Sequence, residues 1–248
     1  MELGATSIFD TDDDNIPIDS FYEHEIVRFA EIVKQKGWCN VYQFFHGSKI
    51  WPRGFSLSHI NNISKIETFK KISCPIQQGL ADGNPDVDAI WRLVMYKNLK
   101  FKGKRNIALS SGVWCPFNSQ TTWWFPEAFH LMYLPTFATF RMTDIWRSFI
   151  AQKCLWAMGK RVLFYSPAEV RQDRNEHNLL HDFEDEVPGY INNEDIIKAL
   201  DSLKLKKGNT LDNLETCYKM MVDKGFLPGD ELQSLRGWIW EVREHENA

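Results

Sequence analysis

The chain has 248 residues, a formal net charge of −4 at pH 7 and a hydrophobic content of 44%, values typical of one large globular domain or two small ones. This charge excludes the basic surface that nucleic-acid binding requires, and no apolar run reaches the roughly 20 residues of a membrane span. The five cysteines include no C-x-x-C pair, which favours buried free thiols over a zinc site or a disulfide framework.

Hydrophobic periodicity and turn residues divide the chain into strands and helices, which predicts an α/β fold. Residues 142–160 give the clearest helix, because the apolar residues share one face and Gly159 follows the end. Residues 169–190 are polar and predict a partly helical loop over a site, and the segment from residue 193 predicts a helical tail. The other predicted elements are a strand over 5–10, a helix over 20–37, a strand over 38–47, a turn-rich loop over 51–60, a helix over about 87–96 and a strand over 161–167.

An acidic cluster of Asp10, Asp12, Asp13 and Asp14 follows the first predicted strand. A solvated turn is the usual fate of such a charge run. An EF-hand loop is excluded, because Asn15 stands where that loop requires glycine. The apolar residues before the cluster favour a third interpretation, a D-x-D strand end at which Asp12 and Asp14 bind Mg²⁺ or Mn²⁺ carrying a nucleotide diphosphate.

Five stretches carry a resemblance to a known family: GATSIFDTDDDN, WPRGFSL, PIQQGLADGNPDVDAIWRL, TDIWRSFIAQ and HDFEDEVPGY. Together they resemble the STELLO-type glycosyltransferases in the same order, over about residues 4–190. A fainter similarity is to the reversibly glycosylated polypeptides, the plant UDP-arabinose mutases. The resemblance implies a GT-A-like mixed sheet, a nucleotide-sugar donor (a UDP-sugar above all) and a glycan or protein acceptor.

The resemblance implies a GT-A-like domain over residues 1–192, and the helical pattern after it predicts a small helical C-terminal extension over residues 193–248. A complete GT-A fold places a Rossmann-like half of roughly 100 residues before the acidic strand, whereas residues 1–6 alone precede it here. We therefore expect the fold to lack most of the N-terminal nucleotide-binding half. The chain would then be a fragment, an inactive shortened protein, or a protein that a partner completes.

Two functions stay open on these grounds. The first is a metal-dependent glycosyltransferase, and the second is a non-catalytic scaffold or regulator of a cellulose-type glycan-synthesis complex. The acids retained together at Asp12, Asp14 and Asp144 favour the enzyme, and the expected loss of the nucleotide half favours the scaffold. The relatives imply a Golgi type II membrane protein for a fragment and a cytoplasmic location otherwise, since no signal peptide is visible.

The resemblance assigns roles to several single residues. Asp144, near the start of the helix over 142–160, is implied as the general base for the acceptor hydroxyl, with N-capping as the alternative. Arg53 lies in a tight Pro-Arg-Gly turn, and its fork of donors suits a diphosphate or a sugar carboxylate unless it is an ordinary turn residue. Asp10 and Asp13 are implied as donor or substrate contacts.

Asp86 and Asp88 are expected in the first turn of a helix, where capping alone would explain them and where the resemblance adds a sugar contact. Gly112 lets the backbone approach a ligand closely, and Trp114 offers a flat face to a sugar ring unless it belongs to the core.

Two residues of the HDFEDEVPGY stretch complete the predicted site. His181 is implied as a third metal ligand and is preferred to His177, because it belongs to a stretch that resembles the family. Asp182 is implied as a substrate contact. A plain surface loop is the alternative for both, and a lid that closes on the ligand is a further one.

Overall fold

A computed structural model describes residues 4–19, 21–22, 24–95, 97–101, 103–173 and 178–247. Within these ranges the strands are β1 (Ile8–Thr11), β2 (Asn15–Pro17), β3 (Val27–Val33), β4 (Gly37–Trp38), β5 (Ile66–Ser73), β6 (Ile76–Gln78), β7 (Ala81–Gly83), β8 (Arg105–Leu109), β9 (Val113–Trp114), β10 (Thr121–Trp124), β11 (Val162–Ser166) and β12 (Val170–Gln172). The α-helices are α1 (Ala89–Met95), α2 (Thr143–Ala157), α3 (Leu179–Ser202), α4 (Thr210–Asp223) and α5 (Glu231–Asn247).

The main sheet is mixed and has seven strands in the order β1-β10-β6-β11-β8-β3-β5. The pairs β6–β11 and β3–β8 are parallel, and the remaining pairs are antiparallel. A smaller sheet has the strand order β2-β12-β7. Two of its strands follow strands of the main sheet closely in the chain: β2 follows β1, and β12 follows β11. The α/β class predicted from the sequence is confirmed, and the mixed sheet is consistent with a GT-A-like fold.

The two faces of the main sheet belong to two separate hydrophobic clusters. On β3, Ile32 belongs to the smaller cluster and Val33 to the larger one, as the alternation of side chains along a strand requires. The larger cluster includes Phe149 and Leu155 of α2, which are fully buried. Helix α2 also contacts α3 and α4, so the C-terminal helices share this core.

The helix predicted over residues 20–37 is wrong, because Val27–Val33 form strand β3 between β5 and β8. Ala30 and Ile32 face one cluster while Val33 faces the other. An inner strand that buries residues on both faces shows apolar residues at irregular intervals, and these intervals also fit a helical period.

The strand predicted over residues 38–47 is also wrong. The ladder stops at Trp38, and Val41–Phe44 form a 3₁₀ helix. Asn40 begins this turn, because its side chain accepts a hydrogen bond of 3.2 Å from the backbone N–H of Tyr42. The alternating apolar residues of the segment are therefore core residues of a short helix.

The helices in the second half of the chain agree well with the sequence. The helix predicted over 142–160 is α2, and the predicted helical tail contains α4 and α5. The segment over 169–190 is instead strand β12 and the first half of α3, which continues past the expected domain border at residues 192 and 193. Its polar residues include the buried Glu186, which pairs with Arg141.

All five cysteines are free and buried, as the sequence predicts. Among the described residues, none of the helices combines the length and the apolar content that crossing a membrane would require.

Candidate active site

A cavity of about 510 Å³ opens where strand β1 ends. Seven of the residues predicted for the site line it, from the acidic cluster, the Pro-Arg-Gly turn and the starts of α1 and α2: Asp10, Asp12, Asp13, Asp14, Arg53, Asp86 and Asp144. Seven further residues that were not predicted for the site also line it: Ser119, Gln120, Leu134, Phe140, Arg141, Thr143 and Gln172. The cavity therefore collects residues from segments that lie far apart in the chain.

Asp10 is neutralised by a cation from α2. Its Oδ2 accepts a hydrogen bond of 3.0 Å from Nη2 of Arg147, which also donates to the hydroxyl of Ser119 at 2.8 Å. The guanidinium of Arg147 is buried and lies over the ring of Trp124 at 4.8 Å. Asp10 thus ties β1 to α2 through a pair in which the arginine is almost wholly buried.

Asp12 and Asp14 converge on one amide group. Nε2 of Gln172 lies 3.3 Å from Oδ2 of Asp12 and 2.6 Å from Oδ1 of Asp14. The amide is oriented by Gln120, whose Nε2 donates to Oε1 of Gln172 at 3.0 Å, so the nitrogen must face the carboxylates. Two like charges are therefore held together by a single neutral donor.

The environment of Asp12 disfavours its charge. Burial raises the pKa of this carboxyl group from 3.8 to about 6, and the carboxylates of Asp86, Asp144 and Asp14 add to the rise while Arg53 opposes it. Carboxylate oxygens of this kind are ligands that Mg²⁺ and Mn²⁺ prefer, and Mg²⁺ sites commonly use one or two carboxylates with phosphates and water. Asp12 and Asp14 fit such a cation.

Arg53 is the centre of a buried ionic network. Its Nε donates to Asp86 at 2.9 Å, and its Nη1 and Nη2 form a fork on Asp144 at 2.9 and 2.8 Å. Nη1 also donates to the backbone oxygen of Arg141. Burial opposes the charge, but Asp144 and Asp86 outweigh it and raise the pKa of the guanidinium well above its usual value.

Asp144 lies in the first turn of α2 and lines the cavity. Besides the fork from Arg53, its Oδ2 accepts a hydrogen bond of 3.0 Å from the backbone N–H of Ser119. It does not cap the helix, since the N-cap position is Met142 and lacks a side-chain cap. The N-capping alternative therefore does not describe the contacts of Asp144.

A second ionic pair joins the cavity wall to α1 and α3. Nε and Nη2 of Arg141 donate to Oε1 of Glu186 at 3.0 and 2.7 Å. Oε2 of Glu186 accepts from the backbone N–H of Ala89 at 2.8 Å and from the hydroxyl of Tyr190 at 2.6 Å. The polar first half of α3 is thus fixed against the start of α1.

Asp88 is a predicted site residue that does not line the cavity. Its Oδ1 accepts a hydrogen bond of 2.7 Å from the backbone N–H of Trp91, and its Oδ2 accepts from the indole of Trp51. Burial raises its pKa from 3.8 to about 7, the two hydrogen bonds oppose the rise, and Glu186 adds to it. These contacts are those of the capping alternative for α1.

Gly112 and Trp114 also lie away from the described lining of the cavity. Gly112 has φ of 81° in the turn between β8 and β9, which is a conformation that favours glycine. Trp114 is fully buried, lies 4.3 Å from the ring of Trp156 and donates to Asp201. The core alternative is the one that matches the position of Trp114.

His181 and Asp182 begin helix α3 and are not among the residues that line the cavity. The side chain of His181 is 67% exposed and pairs with Glu184 at 3.7 Å, so the structure does not bring it to Asp12 and Asp14. His177 lies outside the described residues. In the part of the chain that the structure describes, three His, Cys, Asp or Glu side chains never gather as a metal site.

Three of the residues at or beside the cavity that were not predicted differ in how easily the sequence could have identified them. Arg147 belongs to the stretch TDIWRSFIAQ and follows Asp144 by one helical turn, so its place near the site could have been predicted. Gln172 and Gln120 belong to no motif. Gln172 donates to Asp14 across 158 residues of chain, and Gln120 contributes by orienting the amide of Gln172. A single glutamine carries no chemical pattern that would distinguish it.

Comparison with known proteins shows which proteins this chain is similar to. The sequence model of a family described as STELLO glycosyltransferases matches residues 141–235. The chain is 26% identical over 265 aligned residues to "Probable glycosyltransferase STELLO1" of Arabidopsis thaliana and equally to "Probable glycosyltransferase STELLO2" of the same plant. Each alignment covers 98% of this chain and 34% of the relative, so the chain spans about a third of the length of these relatives.

The resemblance predicted from the sequence is confirmed by these matches. The segment matched by the family model begins at Arg141 and contains Asp144 and Gln172, which line the cavity. It also contains Arg147 and Glu186, which pair with the lining residues Asp10 and Arg141. The alignments with the two relatives extend over nearly the whole chain and so include the acidic cluster. Together the matches show that the chain is similar to proteins described as probable glycosyltransferases.

Proposed function

We propose that the cavity is the active site of a metal-dependent glycosyltransferase, which takes a sugar from a nucleotide-sugar donor, a UDP-sugar, to a glycan or protein acceptor. The observation that carries the proposal is the convergence of Asp12 and Asp14 on one point, where Gln172 is their shared donor. Burial and neighbouring acids already disfavour the charge of Asp12. A divalent cation carrying a diphosphate would turn this repulsion into affinity.

The arginines around the cavity are committed to other acids, which strengthens the case for a cation. Arg53 is engaged by Asp86 and Asp144, and Arg147 is engaged by Asp10. Mn²⁺ or Mg²⁺ bound by Asp12 and Asp14 would supply electrostatic stabilisation of the departing diphosphate. In this chain, Gln172 holds the two carboxylates in place for that binding.

Asp144 is the proposed general base for the acceptor hydroxyl. It lines the cavity, and its Oδ1 accepts one hydrogen bond from the described residues, from Nη1 of Arg53 at 2.9 Å. A carboxylate oxygen has two lone pairs, so Oδ1 can accept a further hydrogen bond from a hydroxyl. Arg53 and the backbone of Ser119 fix the orientation of the carboxylate.

The second candidate function is a non-catalytic scaffold or regulator of a glycan-synthesis complex. The observation that favours it is the complete engagement of the three guanidinium nitrogens of Arg53 by protein oxygens. An arginine in this state stabilises the fold and has no donor left over for a phosphate. A scaffold would keep this network without binding a nucleotide.

Calorimetry with Mn²⁺ and UDP separates these two functions. We expect the chain to bind UDP only when Mn²⁺ is present, and we expect the double variant Asp12→Ala, Asp14→Ala to lose that binding. The matched control is Asp195→Ala, which removes an exposed carboxylate from α3. Metal-dependent binding that survives the double variant contradicts the assignment of the ligands, and the absence of UDP binding by the unaltered chain contradicts the enzyme.

A further inference from the structure

An apolar segment, residues 134–140, borders the charged cavity; we call it the apolar rim. Leu134 and Phe140 line the cavity and are 44% and 83% exposed. Phe137, between them in the chain, is 47% exposed. The other described residues that line the cavity are all polar or charged. Phe140 therefore presents a water-exposed ring at the mouth of a site that otherwise offers carboxylates, amides and guanidinium groups.

The backbone at the start of the apolar rim is fixed by a buried carboxylate. Glu231, the first residue of α5, is fully buried, and it accepts hydrogen bonds from the backbone N–H groups of Thr136 at 3.2 Å and Phe137 at 3.0 Å. It also accepts from the hydroxyl of Tyr133. The C-terminal helices thus hold the rim against the rest of the fold.

The far end of the apolar rim is fixed as well. The hydroxyl of Thr139 donates to the backbone oxygen of Asp185 at 2.6 Å, and the backbone N–H of Met142 donates to the oxygen of Thr139 at 2.8 Å. The hydroxyl of Thr143 donates to the oxygen of Phe140 at 3.0 Å. The exposed ring is therefore carried by a backbone that is anchored on both sides.

An anchored, exposed aromatic ring beside a polar cavity suits one class of ligand. A sugar ring has an apolar face of C–H groups and a rim of hydroxyls, so it can pack on an aromatic face while its hydroxyls bind carboxylates. Pre-ordering of the backbone lowers the entropy lost when such a ligand binds. Folding alone does not account for this exposure, because a phenyl ring is stabilised by burial and the ring of Phe140 is 83% exposed.

We propose that Phe140 and the apolar rim form the acceptor subsite, and that the acceptor is a glycan whose terminal ring stacks on Phe140. This inference rests on the proposed function, because it places the acceptor hydroxyl in the cavity that Asp144 lines. The donor would then occupy the side of the cavity formed by Asp12 and Asp14. The subsite deepens the proposed function by naming the substrate class.

A glycan fits the apolar rim better than a protein partner does. Among the described residues, two apolar side chains line the cavity, those of Leu134 and Phe140, together with the polar Arg141, Thr143 and Asp144. A docking surface for protein would need a broader apolar patch, of several hundred Å². A ring-sized platform that continues into a polar cavity matches a saccharide.

The test measures the binding of four tetrasaccharides to the full chain with UDP and Mn²⁺ present: cellotetraose, mannotetraose, xylotetraose and maltotetraose. We expect at least one to bind, its Kd to rise about tenfold in Phe140→Ala, and the affinity to return in Phe140→Trp. The matched control is Phe69→Ala, which removes another exposed aromatic ring, from strand β5. The same titrations give the Kd for UDP with Mn²⁺, which we expect to be unchanged in Phe140→Ala.

The outcomes separate this inference from the proposed function. If UDP binds with Mn²⁺ and no tetrasaccharide binds, or if Phe140→Ala leaves saccharide binding unchanged, the glycan subsite is overturned and the transferase proposal stands. If a tetrasaccharide binds through Phe140 and UDP does not bind, the subsite stands and the transferase proposal fails. Unfolding curves of Phe140→Ala that match those of the unaltered chain show that lost binding is not lost folding.

Discussion

Arg53 and Asp144 form a buried, two-pronged ion pair, with Nη1–Oδ1 at 2.9 Å and Nη2–Oδ2 at 2.8 Å. The same guanidinium also binds Asp86, so Arg53 joins two buried carboxylates, and Arg141 also lies 3.7 Å from Asp86. Buried pairs are costly to form and still more costly to break, because removal of one partner leaves an uncompensated charge. The pair therefore makes the site and the stability of the fold depend on each other.

Replacement of Arg53 by alanine is expected to lower the free energy of unfolding by about 3–5 kcal/mol, the usual cost of breaking a buried pair. Urea unfolding followed by tryptophan fluorescence measures this change. The control is Arg236→Ala, which breaks an exposed pair with Glu215 at 2.8 Å and should cost less than about 1 kcal/mol. An equal loss of unfolding free energy in the two variants would contradict the claim that the buried pairs of Arg53 stabilise the fold more than an exposed pair does.

Replacement of Asp144 by asparagine is expected to reduce sugar transfer by about 10²–10⁴-fold, the usual contribution of a general base. The side chain keeps its shape but loses its basicity and one accepting oxygen of its pair with Arg53, so unfolding curves must first show that the variant is folded. The folded variant should still bind UDP with Mn²⁺, because Asp144 is not one of the proposed metal ligands. Single-turnover transfer and calorimetry measure the two quantities separately. Transfer that continues at the normal rate would assign the proton to another group.

The sequence predicts most of the charged residues that line the cavity, but few of the contacts that bring them together. Asp12, Asp14 and Asp144 follow from local patterns, since an apolar lead-in and a helix start can be recognised within ten residues. The partner of Asp144 could not be recognised in this way, because Arg53 lies 91 residues away in the chain. Contacts of that separation depend on the packing of the whole sheet.

The two wrong elements have a similar cause. Strand β3 buries Ile32 on one face and Val33 on the other, and this burial on both faces removes the alternation that identifies a strand. Asp88 shows a different difficulty. The sequence predicts a sugar contact or a helix cap for its carboxylate, and in the structure it accepts a hydrogen bond at the start of α1. A carboxylate at a helix start serves both purposes equally well in sequence.

Stability should fall as the pH rises from 4 to 7 because of Asp88. Its pKa is raised from 3.8 to about 7, so the folded state keeps a proton that the unfolded state releases across this interval. Linkage then lowers the free energy of unfolding with rising pH, by up to roughly 4 kcal/mol in total. The loss is complete about one pH unit above the folded-state pKa of about 7, where both states are ionised.

The variant Asp88→Asn isolates this effect, since an amide does not titrate. The free energy of unfolding of the unaltered chain minus that of Asp88→Asn should decrease between pH 4 and pH 7 and then become constant. Thermal or urea unfolding at several pH values gives this difference, from which the titration of all other groups cancels. Two parallel pH profiles would show that Asp88 is ionised throughout.

Replacement of Gln172 by glutamate should make the fold depend on a divalent cation. A third carboxylate would then lie within about 3.3 Å of Asp12 and 2.6 Å of Asp14, in place of the amide that donates to both. Like charges at this distance repel one another, so Gln172→Glu should be less stable than the unaltered chain without metal. With Mn²⁺ present the added ligand should strengthen binding, and binding to the folded state raises Tm.

The decisive measurement is therefore the rise in Tm on addition of Mn²⁺, which should be larger for Gln172→Glu than for the unaltered chain. Gln172→Leu is the matched control, because it removes the amide and adds no oxygen, and its Tm should respond least to Mn²⁺. Calcium provides a second control. Because Ca²⁺ is larger and suits a site with more oxygen ligands, it should raise Tm less than Mn²⁺ does. If Mn²⁺ leaves the Tm of all three proteins unchanged, the contacts of Gln172 with Asp12 and Asp14 serve the stability of the fold and do not prepare a metal site.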